Sequence, residues 1–114
     1  MKQTDHLHIL WTNADLLTAE KMVFMYGFNA VKFGWWENVT IIVWGATAKL
    51  VAEDGDVQGH IRRLLEGDVA ISACKACADQ LGVTDVLTGL GIEVKYWGEG
   101  LTKLIKEKAP LITV

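Results

Sequence analysis

Five short apolar runs alternate with stretches of helical periodicity, and this alternation constrains the fold more than any other feature of the chain. The runs occupy residues 7–11, 39–44, 69–73, 92–97 and 111–114. Most of them are continuously apolar, as in strands that are covered on both faces of a parallel sheet. Strands separated by helices are typical of α/β proteins, so the sequence predicts a doubly wound α/β sandwich.

The segments between these runs carry the helix signals. A broad apolar face extends over residues 14–34, and Asn13 and Asp15 are candidate N-cap residues for this long helix. Shorter helices are predicted over residues 47–53, 56–65, 74–81, 84–90 and 100–108. Because no linker or internal repeat interrupts the pattern, we expect one domain over residues 1–114.

Size and charge exclude several classes of function. A chain of 114 residues that is 51% hydrophobic can bury its own core. Its net charge is -3 and no run of Lys or Arg stands out, which argues against binding of nucleic acid. No apolar run approaches the roughly 18 residues of a membrane span, and the start of the chain lacks a signal-peptide pattern. We therefore expect no membrane contact and a cytoplasmic location.

Cys74 and Cys77 are the two cysteines of the chain, and they form a C-x-x-C where the third apolar run gives way to a helix. The positive end of a helix favours the thiolate of a cysteine at its start. A disulfide between them would close a tiny loop and add little stability. In the reducing cytoplasm such a pair is catalytic, binds metal or stays as thiols. The motif indicates sulfur chemistry, with inert buried thiols as the alternative.

Further candidate residues follow the predicted strands, because ligands of open parallel sheets bind beyond the carboxyl ends of the strands. With Cys74 and Cys77 as candidate catalytic residues, the candidate substrate-binding residues are Trp11, Thr12, Asn13, Trp44, Gly45, Lys75, Trp97 and Gly98. Lys75 would place a cation beside the first thiol. For Trp44 and Trp97 the favoured interpretation is that they fill the edge of the core, and the glycines would permit tight turns.

No metal site and no cofactor is predicted. His6 and His8 would point to the same face of an extended strand. The cysteines, however, lack a second close ligand pair with zinc-finger spacing. Gly89 and Gly91 precede a strand instead of a helix, so they do not form a dinucleotide fingerprint, and the sequence contains no P-loop, G-x-S-x-G or H-E-x-x-H.

The long helix carries more apolar side chains than one buried face requires. Trp35 and Trp36 follow it, and its crowded apolar residues are Val23, Phe24, Met25, Tyr26, Phe28 and Phe33. Such a helix is either deeply buried or partly in contact with another subunit. The second interpretation predicts a homo-oligomer.

In the order of its elements and motifs, nearly the whole chain resembles the DsrE/DsrF-like family of small sulfur-handling proteins. The second predicted strand ends in a glycine turn at residues 43–46, and Leu-Leu-Glu-Gly follows at residues 64–67. Cys74 lies eight residues before Gly82, which matches the spacing in the family. Cys77 matches a second cysteine that a subset of the family contains.

The resemblance implies a three-layer α/β/α sandwich around a five-stranded parallel sheet of order 4-3-2-1-5, and a homo-oligomer such as a trimer or hexamer. It also implies that a cysteine at the position of Cys74 carries sulfur as a persulfide between a donor protein and an acceptor protein. Leu81 stands where many members have arginine, so the substrates and partners of those members are not implied.

Three functions stay open for the chain. The favoured hypothesis is a sulfurtransferase-like carrier that holds a persulfide on Cys74, with Cys77 in support. The second is a thiol–disulfide redox protein that uses both cysteines, although the usual cis-proline partner has no counterpart because Pro110 is the one proline. The third is a non-enzymatic module that binds a small ligand at the strand ends. Whether the protein is an enzyme depends on which hypothesis holds.

Overall fold

The computed structural model describes residues 5–114, and residues 1–4, which include part of the polar start of the chain, lie outside the described residues. The strands are β1 (His6–Trp11), β2 (Asn38–Val43), β3 (Ala70–Cys74), β4 (Glu93–Lys95) and β5 (Leu111–Thr113). The first helix, α1, is α-helical at Leu16–Thr18, π-helical at Ala19–Phe24 and α-helical at Met25–Lys32. The other helices are α2 (Ala46–Glu53), α3 (Gly55–Glu66), α4 (Lys75–Leu81), α5 (Thr84–Gly89) and α6 (Gly98–Lys106).

The five strands form one parallel sheet of order β4-β3-β2-β1-β5. The three connections from β1 to β4 advance in one direction, and right-handed crossovers therefore place α1 to α5 on one face of the sheet. The connection from β4 to β5 returns across the sheet and places α6 on the other face. The predicted five-stranded parallel sheet and its three-layer α/β/α architecture are confirmed.

The two faces of the sheet differ in polarity. Because side chains alternate along a strand, Leu7, Ile9 and Trp11 of β1 point into the main core with α1 to α5. A smaller apolar cluster lies on the α6 face and consists of Ile42, Cys74, Trp97 and Leu104. Towards the amino ends of the strands, the α6 face carries buried polar side chains: His8, Thr40 and Ser72. The face of the sheet under α6 is therefore partly polar, although the strands were predicted from apolar runs.

Side-chain caps set the helix boundaries. The Asp15 carboxylate accepts a hydrogen bond from the Thr18 backbone N–H at 2.9 Å, so α1 begins at Leu16 instead of residue 14. Asn13 is not the cap, but its side chain accepts a hydrogen bond from the Asp15 backbone N–H at 2.9 Å. Gly82 ends α4 in the left-handed conformation, with φ 69°, as its position predicted.

Strand β4 is shorter than the apolar run that predicted it. Ile92 and Trp97 are buried, but neither belongs to the strand, which covers only Glu93–Lys95. The chain leaves the sheet before Trp97, whose φ of -106° and ψ of -6° begin the turn into α6. The predicted run therefore combined a short strand with two core residues outside it.

Helix α1 buries one side and exposes another. Val23 and Phe24 lie in the main core, whereas Met25, Phe33 and Trp35 are exposed large apolar side chains. The Trp35 ring contacts Phe33, with ring centroids 5.6 Å apart. The homo-oligomer that the excess of apolar side chains on this helix suggested stays a prediction. Among the described residues, no helix has the length and apolar composition needed to cross a membrane.

Replacement of Ile41 by alanine tests whether the β2 side chains form the core that stabilises the fold. Ile41 is completely buried in β2, whereas Ile105 of α6 is 58% exposed. We expect Ile41→Ala to lower the free energy of unfolding by about 2–5 kcal/mol, because it leaves a cavity in the core. The matched control Ile105→Ala should change it by less than about 0.5 kcal/mol. Urea denaturation measures both, and equal losses would contradict the proposed core.

Candidate functional site

The carboxyl ends of four strands meet at one edge of the sheet. Trp11 lies opposite Val43, Val43 lies opposite Ala73, and Cys74 lies opposite Lys95. The turns that follow these residues therefore share one side of the molecule, as the parallel sheet predicted. The cysteine pair lies at this edge, where β3 passes into α4.

Cys74 is the last residue of β3 and the N-cap residue of α4. Only 4% of it is exposed, because Ile42, Trp97 and Leu104 pack around it on the α6 face. Its thiol is therefore shielded from solvent by side chains from two distant parts of the chain, β2 and the α6 region. A reactant reaches this sulfur only through a neighbouring group or by movement of the cluster.

Cys77 lies almost one helical turn further along α4 and is half-buried. Its thiol lies near the Cys74 side chain and the backbone N–H of Gly45, and both affect its pKa. Burial, and next the interaction with the Cys74 side chain, raise the pKa of Cys77, while the Gly45 N–H opposes this rise by favouring the thiolate. At neutral pH Cys77 is therefore mainly a thiol.

The turn after β2 brings the Gly45 N–H to this sulfur. Gly45 has φ 69° and ψ -124°, a conformation that side chains with a Cβ rarely adopt. The fully buried Thr47 fixes the turn, because its hydroxyl accepts a hydrogen bond from the Trp44 N–H at 3.0 Å and donates one to the Trp11 carbonyl at 2.8 Å. Sequence reasoning missed Thr47, although a threonine two residues after a turn glycine was the available signal.

Cys77 lies in the wall of an open cavity of about 590 Å³ between the β1–α1 connection, α2 and α4. The cavity is lined mainly by apolar side chains and by two charged ones; the full set is Ala14, Gly45, Ala46, Lys49, Leu50, Glu53, Cys77, Gln80 and Leu81. Cys74 does not line this cavity. Of the two sulfurs, Cys77 is thus the one that a small molecule in the cavity meets.

Trp11, Thr12 and Asn13 have structural partners. Trp11 is completely buried, its ring lies edge-on to Phe24 with centroids 5.2 Å apart, and its Nε1 donates to the Asn13 carbonyl at 2.9 Å. The Thr12 hydroxyl donates to the Val114 carbonyl at 3.0 Å. Asn13 orders the start of α1, as described above. None of the three lines the cavity of Cys77.

Trp97 and Trp44 pack in the cluster around Cys74. Trp97 Nε1 donates to the Ser72 hydroxyl at 2.8 Å, and Trp44 is half-buried beside it in the same cluster. This packing supports the alternative interpretation in which both rings fill the edge of the core. Gly98 begins α6, and its carbonyl accepts a hydrogen bond from the Thr102 hydroxyl at 2.8 Å.

Lys75 lies next to Cys74 in sequence, but its charge is paired elsewhere. Its Nζ binds an Asp79 carboxylate oxygen at 2.7 Å and lies 5.7 Å from the centre of the Tyr96 ring. The hydrogen bond to Asp79 raises the pKa of Lys75. Within the described chain, Lys75 thus has partners other than the two thiols.

His6 and His8 share one face of β1, as predicted, and their rings stack with centroids 4.1 Å apart. His6 Nε2 lies 2.7 Å from the Thr40 hydroxyl oxygen. Burial, and then the charges of His6 and Lys95, lower the pKa of His8 to about 4, so it is neutral at pH 7. Residues 5–114 contain no group of three or more His, Cys, Asp or Glu side chains arranged to hold a metal ion.

The whole chain is similar to the conserved protein of unknown function BT1422 from Bacteroides thetaiotaomicron. The two are 39% identical over 100% of this chain and 98% of that chain, and their structures agree with a TM-score of 0.97. The chain belongs to the BT1422 family. No family model and no curated protein sequence matches it.

A second similar structure is that of the ychN protein from E. coli. It is 12% identical, with a TM-score of 0.70, over 96% of this chain and 99% of that chain. The ychN protein has the DsrE-like α/β fold, so the member of the BT1422 family described here has this fold too. At this identity the likeness concerns the fold alone.

The burial of the two thiols predicts their order of alkylation. Cys77 should react with iodoacetamide before Cys74, and more slowly at pH 7 than free cysteine, because its pKa is raised. Below that pKa its rate should rise about tenfold for each pH unit, since the thiolate is the nucleophile. Trypsin cleaves after Lys75 and separates the two cysteines, so peptide mass spectrometry measures each rate.

The urea-unfolded chain is the control, in which both cysteines should react at similar rates. Faster labelling of Cys74 in the folded protein would contradict the assigned burial. A Cys77 rate that stays constant between pH 7 and pH 8 would contradict the raised pKa.

Proposed function

We propose that this protein handles sulfane sulfur on the Cys74–Cys77 pair, as a carrier that accepts a persulfide and passes it on. The observation that carries the proposal is the contact between the two thiols, of which one lies in the wall of an open cavity and the other is buried behind it. The DsrE-like fold is consistent with a role of the sulfur-relay type.

The first step is transfer of one sulfur atom from a donor persulfide, R–S–SH. The Cys77 thiol loses its proton, its Sγ attacks the outer sulfur, and the donor S–S bond breaks. The product R–S⁻ takes up a proton, and Cys77 becomes a persulfide, so the step needs no external oxidant. The Gly45 N–H, which favours the thiolate of Cys77, stabilises the negative charge that forms on this sulfur.

The persulfide then has two routes. An acceptor thiolate attacks the outer sulfur and restores Cys77, which is the relay reaction. Alternatively, Cys74 attacks the Sγ atom of Cys77, releases hydrosulfide and forms a disulfide, which a thiol reductant later reopens. The sequence-based hypothesis placed the persulfide on Cys74. Because only 4% of Cys74 is exposed, we propose the opposite order, in which Cys77 receives the sulfur and Cys74 resolves it.

Thiol–disulfide exchange is a second candidate function. The closeness of the two thiols favours it, because neighbouring sulfurs form a disulfide with little movement. The two functions differ in their product. A redox protein exchanges electrons with a disulfide substrate without gaining a sulfur atom, whereas a carrier gains one.

Mass spectrometry after treatment with inorganic polysulfide tests the proposal. We expect Cys74→Ser to gain one sulfur atom, about 32 Da, on Cys77, because the resolving thiol is missing. Wild type should release sulfide and accumulate the Cys74–Cys77 disulfide. The matched variant Cys77→Ser should lose most of the adduct, because its remaining cysteine is buried.

Each contrary outcome has a distinct meaning. If the Cys77→Ser variant forms an adduct on Cys74 as fast as the Cys74→Ser variant forms one on Cys77, Cys74 is the residue that receives the sulfur. Disulfide formation with small disulfides, without any adduct from polysulfide, would favour the redox function. The absence of an adduct in wild type and both variants, without sulfide release, would reject the carrier.

A further inference from the structure

Two opposite charges stand in the wall of the Cys77 cavity. Lys49 and Glu53 both line it and lie four residues apart, so they are neighbours on one face of α2. The ion pairs found among the described residues join other side chains: His60 with Glu20, Lys75 with Asp79, and Lys95 with Glu93. Lysine before glutamate is also the weaker order for pairing along a helix.

The position of Glu53 favours a cationic ligand. Glu53 is the last residue of α2, where the negative end of the helix disfavours a carboxylate. A cationic group bound there would offset this repulsion. Lys49, one turn earlier on the same face, offers a cation to an anionic group of the same ligand.

The rest of the cavity suits a small molecule. Its volume of about 590 Å³ falls in the range of small-ligand sites. Leu50, Leu81 and the alanines Ala14 and Ala46 supply apolar walls around Cys77. A ligand that fits this wall carries one cationic and one anionic group close together, next to a short apolar part that holds the reacting sulfur.

We propose that the sulfur donor is a low-molecular-weight persulfide with a free α-amino acid group, of the cysteine persulfide class. Its carboxylate is bound by Lys49 and its ammonium by Glu53, while its outer sulfur is transferred to Cys77. This inference rests on the proposed function and names its donor. In this transfer cysteine persulfide gives up one sulfur and leaves as cysteine, and the Cys77 thiol becomes a persulfide.

The rate of sulfur transfer to Cys77 in the Cys74→Ser background, measured by mass spectrometry with three donors, tests this inference. Cysteine persulfide carries both charges, N-acetylcysteine persulfide lacks the ammonium, and inorganic polysulfide lacks the amino acid group. Glu53→Gln should slow transfer from cysteine persulfide about two- to fivefold and leave N-acetylcysteine persulfide unchanged or faster. Lys49→Gln should slow both, because both carry the carboxylate.

Comparison of variants with the same donor cancels the intrinsic reactivity of that donor. Glu37→Gln is the matched control, because Glu37 is exposed before β2, at the opposite edge of the sheet, and should leave every rate unchanged. If polysulfide labels Cys77 but Glu53→Gln leaves the cysteine persulfide rate unchanged, the donor inference is wrong and the carrier function stands. If none of the donors labels Cys77, both are wrong.

Discussion

The buried hydroxyl of Thr47 joins two strand ends, and the geometry of the site depends on it. It accepts a hydrogen bond from the Trp44 N–H and lies within hydrogen-bond distance of the Trp11 and Trp44 carbonyls. These contacts tie the turn after β2 to the end of β1 and support the positive φ of Gly45. The Gly45 N–H is thereby placed near the Cys77 sulfur. Helix α2 begins directly after this turn, and its charged side chains Lys49 and Glu53 line the same cavity.

The unequal covering of the sheet explains why the two cysteines differ. Helices α1 to α5 cover one face, whereas α6 alone covers the other. Cys74 points to the α6 face, where Trp97 and Leu104 close over it. Cys77 belongs to α4, which lies on the same face of the sheet as α2. It lines the cavity between α2 and α4. The C-x-x-C motif thus places one sulfur in the wall of the open cavity and its neighbour in the cluster on the α6 face.

The elements were predictable from the sequence because apolar runs and caps are local signals. All five strands are confirmed, with boundaries no more than two residues from those expected, and the strand order that the resemblance implied is confirmed as well. The π-helical segment Ala19–Phe24 was not predictable, because its apolar pattern also fits an α-helix. The burial of Cys74 was not predictable either, since Trp97 and Leu104 are distant in sequence and reach it only through the fold.

We propose that Cys77 receives sulfur in the cavity while Cys74 lies buried behind it. A crystal structure of the wild-type protein after brief exposure to inorganic polysulfide would show which of the two sulfurs is modified. We expect an extra sulfur atom bonded to Cys77 Sγ on the cavity side or, after resolution, a disulfide between Cys74 and Cys77. An extra sulfur on Cys74, with Cys77 unmodified, would contradict it.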